Sequence, residues 1–119
     1  MKSSNKIKVY EKPTCTTCRK VAKTFSELGI DIEMINYYVD PFTKTQLKSL
    51  LTKMKMNPSE LLRKNDEAYK KLKSQIEKLD ENEILDLMVK NPDLVQRPIV
   101  EKGDKAILAR PPEKIKEII

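Results

Sequence analysis

The chain has 119 residues, of which 39% are hydrophobic and 35% charged, and this size and balance suit one compact domain with a heavily charged surface. Its composition excludes several chemistries: without histidine there is no Ser-His-Asp or Cys-His catalysis, two cysteines cannot by themselves complete a four-ligand zinc site, and two glycines cannot form a glycine-rich nucleotide loop. The net charge of +6 does not by itself indicate nucleic-acid binding, because the lysines are interleaved with acidic residues and no Trp is present to build a stacking platform.

The first forty residues predict a β-α-β unit. Residues 7–10 alternate apolar and polar side chains, which is typical of a strand. From Thr16 onward apolar residues recur at helical spacing, and Gly29 provides a left-handed end to that helix. Residues 32–37 predict a second strand. Because a helix joins the two strands within about thirty residues, we expect the strands to be parallel.

The middle of the chain predicts helices only. Thr43 and Gln46 form a capping box at the start of the first of them. Asn57 followed by proline starts the next, residues 66–72 form a short third helix, and Asp80 caps a fourth. An Asn-Pro pair at residues 91–92 ends this helical block.

The last part of the chain predicts two more strands and a helix. Residues 99–100 and 106–108 are separated by a polar segment containing Gly103, which indicates a hairpin, and residues 111–113 open a final helix. The order is β-α-β, a helical block, then β-β-α, without a linker or repeat. We therefore predict one α/β domain over residues 1–119, with a helical insertion at about residues 43–91.

The same patterns predict which side chains are buried. We expect burial of Val9, Val21, Phe25, Leu28, Ile35, Leu51, Leu85, Ile99 and Ile107, and exposure of Lys6, Lys44, Lys71 and Lys105. We also expect a cytoplasmic protein without a membrane partner, because the polar N-terminus has no signal-like apolar stretch and no apolar run could span a membrane.

Cys15 and Cys18 are the only cysteines, and they open the first predicted helix. The N–H groups at a helix start stabilise an anion, Arg19 adds positive charge, and Thr16 and Thr17 offer hydroxyl donors to a thiolate or a bound oxyanion. We therefore predict a Cys15 pKa below the free value of about 8.5. The two sulfurs can meet at this spacing, so we expect Cys15 to attack and Cys18 to resolve.

A C-x-x-C pair after the first strand of a β-α-β unit is typical of thioredoxin-like redox proteins. Pro98 supports this interpretation, because thioredoxin-like folds place a cis-proline opposite the active cysteine at this point in the order of elements. The alternatives are two incidental cysteines at a helix start, a metal bridged between two chains, and an ordinary proline at the start of a strand.

Four segments resemble the glutaredoxin-dependent arsenate reductase family in order and spacing: CTTCRK at residues 15–20, LLRKN at 61–65, QRPIV at 96–100 and ARPPE at 109–113. The similarity extends over residues 7–119 and implies a thioredoxin-like fold with a helical insertion. It also implies an oxidoreductase without a bound cofactor. Glutathione would be the co-substrate, and glutaredoxin would clear the resulting mixed disulfide.

The resemblance assigns roles to particular residues. Cys15 matches the cysteine that attacks arsenate, and Arg63, Arg97 and Arg110 match the arginines that hold the oxyanion. Arg19 matches a basic residue that follows the cysteine loop. Guanidinium groups suit this role, because they give bidentate, charge-assisted hydrogen bonds to tetrahedral oxyanions.

The cysteine loop departs from the family, whose arsenate reductases usually have Gly-Thr-Ser where this chain has Thr16-Thr17-Cys18. Cys18 could attack a Cys15 adduct directly, so that thioredoxin replaces glutathione and glutaredoxin. Two alternatives stay open: a general thiol-disulfide oxidoreductase without arsenate activity, and a redox-switched regulator resembling the Spx type, whose partner is RNA polymerase. The ARPPE segment favours the reductase branch.

Overall fold

The computed structural model describes residues 7–12, 15–110 and 112–118. Its strands are β1 (Ile7–Glu11), β2 (Ile32–Asn36), β3 (Ile99–Lys102) and β4 (Lys105–Leu108). Its α-helices are α1 (Thr16–Glu27), α2 (Lys44–Met54), α3 (Pro58–Leu61), α4 (Glu67–Ile76) and α5 (Glu81–Lys90). Two 3₁₀ helices cover Pro92–Leu94 and Pro112–Glu117. None of these described helices is both long and apolar enough to cross a bilayer.

The four strands form one mixed sheet in the order β2-β1-β3-β4. β1 and β2 are parallel, with Glu11 opposite Asn36, as the β-α-β pattern predicted. β3 is antiparallel to β1 and forms a hairpin with β4, which confirms the second strand prediction. Both hairpin strands are longer than predicted, because the turn needs only two residues, with Gly103 at a φ of 61°.

The chain divides into two compact units. The sheet unit comprises Met1–Asp40 and Arg97–Ile119, and the helical unit comprises Pro41–Gln96. The helical unit is slightly wider than the insertion predicted at about residues 43–91. One domain over the whole chain stays a prediction.

The core of the sheet unit lies between the sheet and α1. Ile7 and Val9 of β1 pack in one cluster with Val21 and Phe25 of α1. Successive side chains of a strand point to opposite faces, so Glu11 lies on the same face of β1 as Ile7 and Val9. α1 follows β1 after a short connection and packs back along it. The C-terminal end of β1 therefore lies beneath the start of α1.

The C-terminal end of α1 is closed by Gly29, which has a φ of 70° as expected. The N–H of Ile30 donates to the carbonyl of Phe25 at 3.0 Å, the bond typical of a Schellman motif. The predicted burial of Leu28 is wrong, because its side chain is 54% exposed. Leu28 is the C-cap residue, where the chain turns away toward Gly29, and its side chain leaves the packed face.

The other burial predictions are confirmed except at two residues of the sheet edges and at one lysine of α2. Ile35 and Ile107 are half-buried, because β2 and β4 are the two edge strands and each has a neighbour on one side only. Lys44 is half-buried and pairs with Asp86 at 2.9 Å. Lys71 and Lys105 are exposed, and Lys6 lies outside the described residues.

The helices of the helical unit begin at the capping residues that the sequence predicted. Thr43 and Gln46 form the capping box of α2, and Asp80 caps α5. Two predictions need correction. α4 begins after Asp66 as expected but continues to Ile76, and the final helix of the chain is a 3₁₀ helix. With six residues, this 3₁₀ helix is longer than the three or four residues typical of its class.

Candidate active site

Cys15 is the N-cap residue of α1, and its sulfur accepts a hydrogen bond from the backbone N–H of Cys18 at 3.3 Å. The backbone of Cys15 is extended, with φ −77° and ψ 121°, which directs the side chain over the free N–H groups of the first turn. Both cysteines are free thiols, with Cys15 half-buried and Cys18 buried. Cys15 is therefore the more accessible thiol of the pair, and Cys18 lies in the core.

The environment of Cys15 favours the thiolate. Partial burial by itself would raise its pKa. Hydrogen bonds from Cys18 and the guanidinium of Arg97 outweigh this cost, so the pKa of Cys15 is lowered below its ordinary value. The sequence analysis predicted the direction of this shift but named Arg19 as the source of positive charge. In the structure, the cation that lowers the pKa of Cys15 is Arg97.

Cys18 is perturbed in the opposite direction. Its side chain is fully buried, and burial together with the hydrogen bond and charge of Cys15 raises the pKa of Cys18 to about 12. At neutral pH one thiol of the pair is activated and the other is kept protonated. This asymmetry suits an attacking and a resolving cysteine.

Arg97 is the central cation of the site, and only 4% of it is exposed. Its Nη1–H donates to the hydroxyl oxygen of Tyr38 at 3.2 Å, and its Cζ lies 5.9 Å from the centre of the Tyr38 ring. Burial opposes its charge, but Tyr37, Tyr38 and Cys15 more than compensate, so the pKa of Arg97 is raised. Its Nε–H is buried without a hydrogen-bond partner among the described residues. Because a buried unpaired donor is costly, this N–H is suited to an anionic acceptor.

The backbone around Arg97 is fixed by a cis-proline and by two hydrogen bonds to its carbonyl groups. The Arg97–Pro98 peptide bond is cis, the isomer expected of a proline at this place in a thioredoxin-like fold. The carbonyl of Pro98 accepts from the N–H of Ala109 at 2.9 Å, and the carbonyl of Arg97 accepts from Nη1–H of Arg110 at 3.1 Å. The exposed Arg110 therefore supports Arg97 through its main chain.

The remaining predicted binding residues lie on the first turn of α1 and in the helical unit. Thr16 and Arg19 are exposed on the first turn of α1, and Thr17 is half-buried there. Arg63 belongs to the helical unit, where its N–H donates to Leu94 at 2.7 Å and its Nη1 pairs with Asp66 at 2.8 Å. A role for Arg63 in oxyanion binding stays a prediction from the resemblance.

The sequence analysis missed four residues of this edge of the sheet: Glu11, Lys12, Tyr37 and Tyr38. Nζ of Lys12 lies 4.8 Å from the centre of the Tyr38 ring, and that ring stacks obliquely on Tyr37 with centroids 5.2 Å apart. The position of some of these residues could have been predicted from the sequence. The C-terminal ends of parallel strands meet at one edge, so residues just after β1 and β2 lie near the cysteines that follow β1.

Comparisons with known proteins agree with this architecture. The model of the ArsC family matches residues 10–118. A protein of Escherichia coli K12 named uncharacterized protein YfgD is 34% identical over 117 residues, covering 98% of both chains. The arsenate reductase of the same strain is 33% identical over 113 residues, covering 95% of this chain and 80% of the reductase. The structure of an arsenate reductase from Vibrio cholerae superposes with a TM-score of 0.89 at 28% identity, covering 96% of this chain and 98% of the other.

The family match spans nearly the whole chain, from the last two residues of β1 to residue 118, and includes Cys15 and Arg97. The fold is thioredoxin-like, with the cysteine pair at the start of α1 and the cis-proline before β3. The chain belongs to the ArsC family.

Proposed function

We propose that this protein is a thiol oxidoreductase of the arsenate reductase type, with the Cys15 thiolate as nucleophile. One observation carries the proposal: an activated thiol at a helix N-terminus lies beside a buried, permanently charged guanidinium with an unpaired N–H. Family membership and a relative named arsenate reductase at 33% identity support it. A structural cysteine would need neither the cation nor the helix start.

The first step joins two anions, so the site must offset their repulsion. Arg97 can hold the arsenate oxygens while Cys15 attacks arsenic, because charge-assisted hydrogen bonds aimed at developing charge lower the barrier. A sulfur–arsenic bond forms, and one arsenate oxygen takes up protons and leaves as water. The product is a Cys15 thioester of arsenate in which arsenic is still As(V).

The second step transfers two electrons. A second thiol, from glutathione or from Cys18, attacks the sulfur of Cys15 after losing its proton. The pair of electrons in the sulfur–arsenic bond stays with arsenic, which leaves as arsenite, As(III), while the two sulfurs form a disulfide. A glutaredoxin or a thioredoxin then reduces that disulfide and restores both thiols.

Single-turnover reduction of arsenate by the fully reduced protein tests this proposal. One arsenite released for two protein thiols lost would establish arsenate chemistry with Cys18 as the resolving residue. Arsenite that appears only after glutathione and glutaredoxin are added would make glutathione the resolving thiol. No arsenite under either condition would disprove the arsenate activity.

The role of Arg97 is tested by comparing Arg97→Gln with Lys105→Gln, which removes one positive charge at an exposed position of the hairpin. We expect Arg97→Gln to lower arsenate kcat/KM at least about a hundredfold, since one lost oxyanion donor costs roughly 10²–10³. Lys105→Gln should match the wild-type protein. Arg97→Lys is the backup variant, because it keeps the buried charge and loses the fork of donors.

A second candidate function is a thiol-disulfide oxidoreductase without arsenate activity. The contact between Cys15 and Cys18 favours it, because an internal dithiol can reduce a substrate disulfide without any anion site. Normal turnover of a small mixed disulfide together with absent arsenite would select this function. The two candidates share Cys15, whose pKa Arg97 lowers, and differ in whether Arg97 must also bind an oxyanion.

A further inference from the structure

Lys12 is a cation beside the cysteine pair that the proposed steps do not use. Its backbone carbonyl accepts a hydrogen bond from the N–H of Cys15 at 2.9 Å, and its backbone N–H donates to the sulfur of Cys18. Both main-chain groups of Lys12 are therefore tied to the cysteines, which fixes its position directly before the cysteine loop. The residue is half-buried, so a small ligand can still reach its side chain.

The side chain of Lys12 is placed by Tyr38. Nζ of Lys12 lies 4.8 Å from the centre of the Tyr38 ring, which is a cation–π contact. The same tyrosine also contacts Arg97, whose Cζ lies 5.9 Å from the ring centre and whose Nη1–H donates to the hydroxyl oxygen at 3.2 Å. The side chain of Arg97 in turn is hydrogen-bonded to Cys15. The contacts therefore run from Lys12 through Tyr38 and Arg97 to Cys15, and from Cys15 back to Lys12.

Two cations at one aromatic ring are not explained by the stability of the fold. A ring stabilises a single cation, but two like charges held by the same ring repel each other. Among the described residues, neither Lys12 nor Arg97 forms an ion pair with a carboxylate, and this includes the buried Glu11 next to Lys12. An anion bound beside the ring would offset the repulsion.

The hydrogen-bond donors of the two cations suit such an anion. Nε–H of Arg97 has no hydrogen-bond partner in the described part of the chain, although only 4% of the residue is exposed. A buried unpaired donor costs free energy that an acceptor from outside the chain can recover. The ammonium of Lys12 carries N–H donors and no acceptor, and its flexible stem lets it turn toward a bound ligand.

We propose that the ammonium of Lys12 is a second anion-binding group of the active site, which selects substrates whose negative charge lies next to the atom that Cys15 attacks. The inference deepens the proposed function, since it rests on Cys15 as the nucleophile and names the substrate class of the same site. The negative charge can belong to an inorganic oxyanion or to a carboxylate on the outer half of a mixed disulfide. In both cases the shared chemistry is an oxygen anion that accepts hydrogen bonds from Arg97 and Lys12.

Two disulfide reagents of different charge test the carboxylate source. Dithiobisnitrobenzoate carries two carboxylates, whereas dithiodipyridine is uncharged at pH 7. With each reagent the Cys15 thiolate forms a bond to one sulfur, and the other sulfur leaves as a thiolate that is followed by its absorbance. The rate of this first release is measured by stopped flow for wild type, Lys12→Gln, Lys12→Arg and the matched control Lys105→Gln, which removes an exposed positive charge of the hairpin.

The ratio of the two rates is the readout, because a change in folding or in the thiolate fraction of Cys15 affects both reagents alike. We expect Lys12→Gln to lower the rate with dithiobisnitrobenzoate at least about threefold at low ionic strength and to retain the rate with dithiodipyridine. In about 1 M salt the difference should largely disappear, since the Debye length falls to about 3 Å. Lys12→Arg keeps the charge and should keep the wild-type ratio, as should Lys105→Gln.

Inorganic phosphate tests the oxyanion source. Iodoacetamide is uncharged and alkylates the Cys15 thiolate, so an anion bound beside the sulfur protects it. Phosphate is titrated at constant ionic strength against alkylation of the same four proteins. If the ligand is an oxyanion, phosphate protects the wild-type protein, and the midpoint of protection rises at least about threefold in Lys12→Gln but not in Lys105→Gln.

The outcomes separate the two sources and can overturn the proposal. A changed ratio of rates alone assigns Lys12 to a carboxylate of a thiol substrate, and a changed phosphate midpoint alone assigns it to an inorganic oxyanion. An unchanged ratio together with unchanged or absent protection would overturn the proposal, as would equal losses in Lys105→Gln. Neither readout involves arsenate turnover, so absent arsenite would disprove arsenate reduction and leave this result standing.

Discussion

Cys15 and Cys18 are the same residue type three positions apart, yet their pKa values are shifted in opposite directions. Cys15 occupies the N-cap, where N–H groups and Arg97 stabilise a negative charge. Cys18 lies one turn further along the helix, fully removed from water. A single helical turn therefore separates a thiol with a lowered pKa from a buried thiol with a raised pKa.

Alkylation by iodoacetamide as a function of pH tests this difference. We expect one adduct per native chain at pH 7, on Cys15, with a midpoint below about 8.5, because the pKa of Cys15 is lowered. Cys18, with a pKa of about 12, should react only after unfolding. Two rapid adducts per native chain, or a midpoint at or above the free value, would contradict this assignment.

Tyr38 positions Arg97, because its hydroxyl oxygen accepts the hydrogen bond from Nη1–H. Hydrogen bonds to charged groups contribute about 1.5–3 kcal/mol, so we expect Tyr38→Phe to lower arsenate kcat/KM by roughly tenfold and to raise the midpoint of Cys15 alkylation. Tyr69→Phe, in the helical unit, is the matched control. If the two variants have the same alkylation midpoint, Tyr38 does not act through Arg97.

At the scale of the element, α1 has two tasks: its start holds the thiolate and its buried face anchors the helix to the sheet. Leu28, the C-cap residue, contributes to neither, since its side chain is exposed beyond the packed face. The position of the thiol thus depends on residues nearly three turns away from it, such as Phe25.

Truncation of the two side chains should have unequal effects. We expect Phe25→Ala to lower the free energy of unfolding by about 3–5 kcal/mol, because a fully buried ring is lost, and Leu28→Ala to change it by less than about 0.5 kcal/mol. Urea unfolding of both variants measures the difference. Comparable losses would mean that Leu28 packs against the core after all.

At the scale of the whole molecule, Glu11 couples stability to pH. A carboxyl whose pKa is raised on folding binds protons more tightly in the native state, so its contribution to stability is favourable at low pH and is lost as pH rises through the folded pKa.

This coupling predicts a pH-dependent effect of Glu11→Gln. We expect the variant to be more stable than wild type at pH 7, because a buried charge is removed, and the difference to shrink toward pH 4. Urea unfolding at both pH values gives the comparison, with Glu27→Gln as the exposed control. An equal difference at both pH values would show that Glu11 does not titrate within the fold.

The elements and the cysteine chemistry followed from sequence because they depend on local causes. Capping residues, helical periodicity and the Gly29 turn act within a few positions, so helix starts and the β-α-β unit were predicted well. Predictions failed where neighbours in space decide, as at Leu28 on a helix end and at Ile35 and Ile107 on edge strands.

The sequence by itself determined the β-α-β unit, the hairpin and the direction of the Cys15 pKa shift, because a thiol at a helix start experiences those N–H groups in any fold. Tertiary structure alone decided which cation acts on it. Arg97 reaches Cys15 from the far end of the chain because β3 lies beside β1. Pairing between strands that are distant in sequence leaves no local signal in that sequence. The same pairing sets the burial and the electrostatics of the site.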